Sequence, residues 1–448
     1  MSEYLFKDIL LETKDGEWGK GEPGEDLVRM KVIRGTDFEA VRNFRLDDVP
    51  ERFIPRHIAE RKSLKPYDIL LETAGGTKDQ PTGRSVILKP ELFNKTDLPI
   101  TCASFSRFLR VHSDIADPEY IFWWLQYMYE SRRIEVFHVQ HTGVARFQYT
   151  LFATTTSINL PPNDEQREVV RLLSCLDKRI ELNQRMNKTL EGIAQTLFKS
   201  WFVNFDPVKA KAEGRKPEGM DEATVALFPS TFIESILGPI PKGWAISEIG
   251  KEVEVVGGST PSTQEAAYWE NGDFYWATPK DLSKLKSPIL LDTERKITEL
   301  GVRQIASGQL PIDTILLSSR APVGYIALAK VPTSINQGFI AMKCTKELSS
   351  YFVLNWTYHT LEEIKARATG TTFAEISKSV FRPIKVIVPS KSIIQEFNSI
   401  AKPIYDRIAE NDLNISSLMN LRNLLLPRLI SGKLRVDKVS ETVEALAL

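Results

Sequence analysis

Apolar residues recur at alternating intervals of four and three through the middle of the chain. They are Val169, Leu173, Leu176, Ile180, Leu190, Ala194, Leu197 and Trp201, with Asn183 and Asn187 filling the two central places. An α-helix turns once per about 3.6 residues, so this spacing lays all ten on one face, a seam that must meet another helix. Residues 172–202 contain no Pro and a single Gly, Gly192. Adding 228 to each number gives Phe397, Ala401, Ile404, Ile408, Asn411, Ile415, Leu418, Arg422, Leu425 and Leu429, again eight apolar in ten, with Asn183 falling on Asn411. The pattern predicts two helices of about 40 residues, each about 60 Å long. Each is the simplest partner for the other. A polar side chain in such a seam costs stability and selects one register, so Asn183 and Asn411 are expected to fix the alignment of the pair. Pro403 and Pro427 interrupt the second stripe. An interior Pro costs about 3 kcal/mol, which predicts a kink or fresh start at Pro403 and a break near Pro427.

The repeat extends upstream of each helix. Within the helices "KRIELN" (178–183) answers to "DRIAEN" (406–411), and upstream of them "TGVARFQYTLF" from Thr142 answers to "TGTTFAEISKSVF" from Thr369. "PYDILLET" from Pro66 answers to "PIDTILLSS" from Pro311, "VIRGTDF" from Val32 to "ATPKDL" from Ala277, and "YLFKDI" from Tyr4 to "WAISEI" from Trp244. Short β-like runs (86–88, 105–111, 384–388) broken by Gly and Pro alternate with helical stretches at 118–130 and 348–365. That is the pattern of a mixed α+β domain, present twice. Residues 204–224, rich in Pro, Gly and charge, read as a linker with a short amphipathic piece. The expected organisation is an α+β domain at 1–161, a helix at 162–205, a linker at 206–240, a second α+β domain at 241–389, a second helix at 390–436 and a tail at 437–448. If the helices pair antiparallel, the chain closes on itself with approximate two-fold symmetry, a form suited to a two-part target.

Charge narrows the function. Lys+Arg and Asp+Glu both number 58, so the formal net charge is zero and bulk charge cannot coat the chain onto nucleic acid. A local basic groove, or a partner that supplies charge, stays open. The three cysteines, Cys102, Cys175 and Cys344, have neither disulfide nor zinc spacing and read as buried free thiols in a reducing cytoplasm. "MSEYLFKDIL" has no signal-peptide pattern, and "YIFWWLQYMY" (120–129) is too short to span a bilayer. The chain is therefore expected to be cytoplasmic, with no membrane partner.

Catalytic grammar is missing. No Gly-x-x-x-x-Gly-Lys-Ser/Thr phosphate loop occurs, and no Gly-x-Gly-x-x-Gly fingerprint follows a strand. "NLPP" (159–162) is not the motif that amino-methyltransferases use to hold a target amine. Glu363-Ile364-Lys365 has the nuclease form Glu-x-Lys, but no Asp lies between Asp313 and Asp406 to complete a metal site. His57, His112, His138, His141 and His359 lack zinc-ligand spacing. No catalytic or metal-binding residue is expected.

The phrase "LFKSWFVNFDPVKAKAEG…GMDEATVALFP…LGPIPKGW" resembles the central region of type I restriction–modification specificity subunits, and "LLLPRLISGKL" (424–434) resembles the end of the same family. The resemblance covers nearly the whole chain. It implies two target recognition domains, each reading one half of a split double-stranded DNA site in the major groove, and two helices that set the gap. It also implies two docked methyltransferase subunits, with restriction subunits joining later. S-adenosylmethionine, Mg and ATP belong to those partners, and no cofactor is expected on this chain.

DNA readers need Arg, Lys, Asn or Gln for base edges and cations or amides for phosphates. The Gly-rich loop at 72–84 bears Lys78, Gln80 and Arg84, and "SSRAPVG" (318–324) holds Arg320 in the equivalent place. These are the candidate DNA contacts, together with Lys280 of "DFYWATPKDL", although both loops also fit ordinary solvated turns and Tyr275 and Trp276 beside Lys280 fit a core. Arg132 and Arg133 suit phosphate or plain solvent. The heads differ at nearly every candidate contact, which predicts an asymmetric target. A coiled-coil scaffold that joins two partners without reading DNA is the alternative, and a fused methyltransferase–nuclease a third that the missing motifs disfavour.

Overall fold

The structure is a computed structural model that describes residues 2–76, 80–140, 144–370 and 374–436. Two helices of 40 residues each, Asn163–Phe202 and Lys391–Ile430, carry the two predicted stripes. The chain divides into two compact units, Met1–Glu181 with Ser417–Leu448, and Leu182–Ser416, so each long helix gives a segment to both.

In the first unit the helix segments run antiparallel. Arg422 donates to Asp177 at 2.7 Å, and Arg435, just past the second helix, meets Glu165 at 3.4 Å. Leu173 and Leu176 share one core with Leu425, Leu426 and Leu429. The second unit has the same sense: Asn187 meets Asn411, and the Phe202 ring lies 5.2 Å from that of Phe397. The apolar stripe thus finds its partner stripe in each unit, the burial that offsets the entropy of ordering a long helix.

Neither proline breaks the second helix, which is continuous through Pro403 and Pro427. Both lie on its exposed face, as do Ser399 and Asn423, whose carbonyls each proline deprives of an N–H donor. Those carbonyls are left to water rather than to a core, so the main penalty of an interior proline is largely removed.

The two α+β heads have one topology. In the first, a four-stranded antiparallel sheet runs in the order Leu10–Asp15, Ser106–Val111, Ile69–Glu72, Ser85–Ile87. In the second the order is Glu254–Val256, Phe339–Lys343, Thr314–Ser318, Ile326–Ala329, with Ile289–Leu290 added in parallel at the edge. Each head has a three-stranded sheet whose middle strand, Leu27–Ile33 or Phe274–Ala277, pairs antiparallel on one side and parallel on the other. A two-stranded pair closes each head, Ser2–Leu5 with Ser157–Leu160 and Ala245–Glu248 with Lys385–Val388. The strands Ile69–Glu72 and Thr314–Ser318 are buried along their whole length, which explains their near-continuous apolar sequence. Matched glycines mark the crossing of the sheets. A Cβ on Gly16 would sit 2.2 Å from the Cys102 carbonyl oxygen, and one on Gly258 1.9 Å from that of Ile335.

Helix Pro118–Glu130 begins where Asp117 accepts the N–H groups of Glu119 and Tyr120 at 2.8 and 3.2 Å, with Pro118 at its first position. The stretch read as one helix at 348–365 is two, Ser350–His359 and Leu361–Ala366, meeting at Thr360. The linker region holds short helices Asp206–Ala212 and Glu222–Leu227, and its Phe228 is buried 5.0 Å from the Trp201 ring. Among the described residues no helix is long and apolar enough to cross a membrane. Of the cysteines expected to be buried, Cys102 is, Cys344 is half-buried, and Cys175 is exposed on the first long helix. The 437–448 tail lies outside the described residues.

Candidate nucleic-acid interface

The Gly-rich loop of the first head leaves the strand Ile69–Glu72 and returns at Ser85–Ile87. Its ends are clamped by Arg84, whose Nε donates to buried Glu72 at 2.9 Å and whose Nη2 reaches the Gly35 carbonyl at 3.2 Å. That ion pair holds the guanidinium pKa above its ordinary value. The loop is strapped to a two-stranded ribbon, His138–Gln140 paired with Ala145–Phe147. Gly75 donates its N–H to Ala145 O at 3.2 Å, Phe147 to Thr73 O at 2.9 Å, and Thr82 to His138 Nδ1 at 3.1 Å. The last bond assigns the His138 proton to Nε2 in the neutral ring.

Side chains alternate across a strand, and the ribbon shows it. Ala145 and Phe147 are buried, Phe147 against Phe152 at 5.3 Å between rings, while Arg146 between them is exposed. Arg146 faces an open groove of about 590 Å³ also lined by Asp15, Ser104, Phe105, Arg107 and Gln148. Arg107 is committed there. It pairs with Asp15 at 2.7 Å, reaches Thr13 Oγ1 at 3.3 Å, and lies 4.2 Å over the Tyr149 ring. Arg146 makes no side-chain hydrogen bond or ion pair among the described residues.

The second head repeats the strap. Thr369 and Glu375 exchange both backbone bonds, at 3.0 and 2.9 Å, and Ile376 donates to Ser319 O at 3.0 Å as Phe147 does to Thr73 O. Arg320 pairs with Glu375 as a bridge, the place Ala74 takes against Arg146. Arg320 and Glu375 also approach to 3.8 Å through their charges, both part-exposed. The loop is folded around Ser318, whose Oγ accepts the N–H groups of Gly324 and Tyr325 and donates to Pro322 O.

Of the other candidates, Lys78 lies outside the described residues. Gln80 is exposed at the loop and already engaged by a neighbour. Lys280 is exposed, but it and Lys284 converge on Glu294 at 3.0 and 2.5 Å, holding that carboxyl down to about 2. Arg132 pairs with Glu135 at 2.8 Å, and Arg133 lies 5.1 Å over the Tyr127 ring. Trp276 is buried, its ring 4.9 Å from Trp269. The ribbon residues Arg146 and Gln148 escaped the sequence reading, although "ARFQ" alternates apolar and polar as an edge ribbon should.

The seam asparagines also need correcting. Asn183 and Asn411 are both buried, but Asn411 donates to Asn187, one turn beyond Asn183, at 2.7 Å. Asn187 in turn donates to Asp412 at 2.8 Å, and Ser287 of the second head donates to the same carboxylate. Burial holds the Asp412 pKa above its ordinary value. In the first unit Asp177 plays the tying role, bonded to Arg422 of the second helix and to Arg42 of the first head, at 2.7 and 2.5 Å. Burial pushes Asp177 up, but the two guanidinium groups outweigh it and hold the pKa below its ordinary value. Each head is thus tied to the helix segments of its own unit through an acidic side chain, and in the second head Lys330 also meets Asp406 of the helix at 2.8 Å.

Comparison with known proteins agrees with this architecture. Residues 241–415 match the family model described as the type I restriction modification DNA specificity domain. The HindI specificity subunit of Haemophilus influenzae is 28% identical over 332 residues, 63% of this chain and 70% of its own length. The MjaIX specificity subunit of Methanocaldococcus jannaschii is 38% identical over 187 residues, 41% of this chain and 43% of its own. A solved type I restriction–modification S subunit from M. genitalium shares the fold with a TM-score of 0.56 at 15% identity, covering 96% of this chain and 95% of its own.

Proposed function

We propose how this chain, a member of the type I restriction–modification specificity-subunit family, confers DNA sequence specificity. Each head reads one half of a bipartite double-stranded DNA target, and the paired helices set the gap between the halves. The observation that carries this reading is duplication with divergence: one topology built twice, with different side chains at matched places of the strapped ribbon. Identical heads would suit a palindrome, and these heads suit an asymmetric pair of half-sites.

The chain acts as a non-catalytic subunit in the cytoplasm. Two methyltransferase subunits dock on it, and restriction subunits join that complex. S-adenosylmethionine, Mg and ATP belong to the partners. Exposed Leu182, Ile193 and Leu413 on the long helices favour docking there, because they leave apolar surface uncovered. A scaffold without DNA readout is not favoured, since the relatives are named as specificity subunits.

Domain exchange tests the reading. Replacing residues 241–389 with the matching segment of a relative should change one half of the methylated target and keep the other. A change in both halves, or in neither, would contradict it.

A further inference from the structure

The ribbon position strapped to the loop carries opposite charges in the two heads, Arg146 in the first and Glu375 in the second. The equivalence rests on hydrogen bonds as well as on sequence. In each head the next residue, Phe147 or Ile376, donates its N–H to the loop carbonyl of Thr73 or Ser319. The same backbone frame therefore presents a cation in one head and a carboxylate in the other.

We infer that this position is a specificity-determining one, with Arg146 reading a guanine edge in the first half-site and Glu375 a cytosine amino group in the second. The inference rests on the DNA-reading function proposed above. Three observations carry it. Arg146 stands out from the nearby guanidinium groups of Arg84 and Arg107: those are held by Glu72 and Asp15, while its own makes no side-chain bond among the described residues. A base edge would satisfy its fork of donors. Second, Arg146 sits on a two-stranded ribbon, an element that fits the major groove. Gln148 lies two residues on and lines the same groove. At about 3.3 Å per residue the two are about 7 Å apart, close to two base steps of about 3.4 Å each. Third, the chemistry matches the base code: Arg bonds guanine O6 and N7 together, and Glu accepts from cytosine N4. A phosphate contact would explain the cation but not the carboxylate, since a carboxylate repels the backbone, and the 3.8 Å approach of Arg320, with half of the Glu375 side chain exposed, leaves that carboxylate able to accept from a base.

The test uses the full chain co-expressed with its methyltransferase partners, read by methylome sequencing and by competition binding across a salt series. Arg146→Lys keeps the charge and loses the fork. It should relax one base of one half-site by about ten- to a hundredfold in preference, leaving the salt slope intact. Arg146→Ala should relax the same base. Glu375→Gln should move one base of the other half-site from cytosine toward adenine, because Gln bonds adenine N6 and N7. In every variant the untouched half-site reports that the complex is folded. If Arg146→Lys keeps full preference while Arg146→Ala weakens all sequences alike and lowers the slope by about one, Arg146 is a phosphate contact and the inference falls. Unchanged motifs in all three variants would also sink it. A wild-type complex with no preference in either half would overturn the specificity reading itself, and this inference with it.

Discussion

The buried polar network at the helix seam allows one stability difference to be worked from its bonds. Asn187 donates to the Asp412 carboxylate and accepts from Asn411, which is fully buried and whose Oδ1 finds no protein partner among the described residues. Asn187→Leu removes a hydrogen bond to a charged group, about 1.5–3 kcal/mol, and strands the Asn411 amide, about 1–3 kcal/mol. Leu burial returns about 1.5–2 kcal/mol, so the net cost is about 0.5–4.5 kcal/mol, centred near about 2.5 kcal/mol. Asn411→Leu strands only the Asn187 oxygen and also removes a group already half unsatisfied, so its net effect lies between about −1 and about 1.5 kcal/mol, near zero at the centre. Hydrogen exchange on peptides from 182–202 and 391–416 measures local opening. Asn187→Leu should speed exchange by about 60-fold at the centre of its range, at about tenfold per 1.4 kcal/mol, while Asn411→Leu should change it by less than about tenfold. The pH dependence has a definite sign. Burial raises the folded pKa of Asp412, so its contribution favours the fold below the unfolded value and is lost as pH rises through the folded one. Losing the Asn187 donor raises that pKa further, so the Asn187→Leu defect should shrink as pH falls toward about 4. Equal effects of the two variants, or a larger one for Asn411→Leu, would refute this assignment of the network.

Asp177→Ala leaves Arg422, with its side chain only 11% exposed, without its carboxylate, and should destabilise the first unit by about 2–4 kcal/mol in thermal unfolding. Because the folded pKa of Asp177 is depressed, its contribution is present above the unfolded value near about 3.8 and lost as pH falls through the folded one. The gap between wild type and Asp177→Ala should therefore close only in acid. Gly258→Ala places a Cβ 1.9 Å from a backbone carbonyl that cannot move aside, and should cost about 3 kcal/mol or more in the same assay. Given the zero net charge, the isolated chain should bind DNA with a shallow salt slope and the methyltransferase complex with a steep one, measured by titration at several salt concentrations.

The long helices were legible because a stripe such as Val169–Leu173–Leu176–Ile180 encodes both the element and its need for a partner. The repeat was legible for the same reason: the apolar words "DILLET" and "TILLSS" are strands buried at their full length. The prolines misled because their cost depends on which face they occupy, and that is fixed by packing rather than by local sequence. At the seam, periodicity placed Asn183 and Asn187 on one stripe and Asn411 on its partner, but not which Asn would face which across a pair of antiparallel helices. Among candidate contacts, residue type gave no clue to commitment. Arg84 and Arg146 are alike in the sequence, yet one is spent on Glu72 and the other faces an open groove. Pairing partners distant in the chain decide that, and only the fold brings them together.

The most direct measurement is methylome sequencing of a host that carries this chain with its modification partners. Methylation is expected within two different short half-sites separated by a fixed gap of unspecified bases. A single contiguous motif, a palindrome, or the absence of any chain-dependent methylated sequence would contradict it.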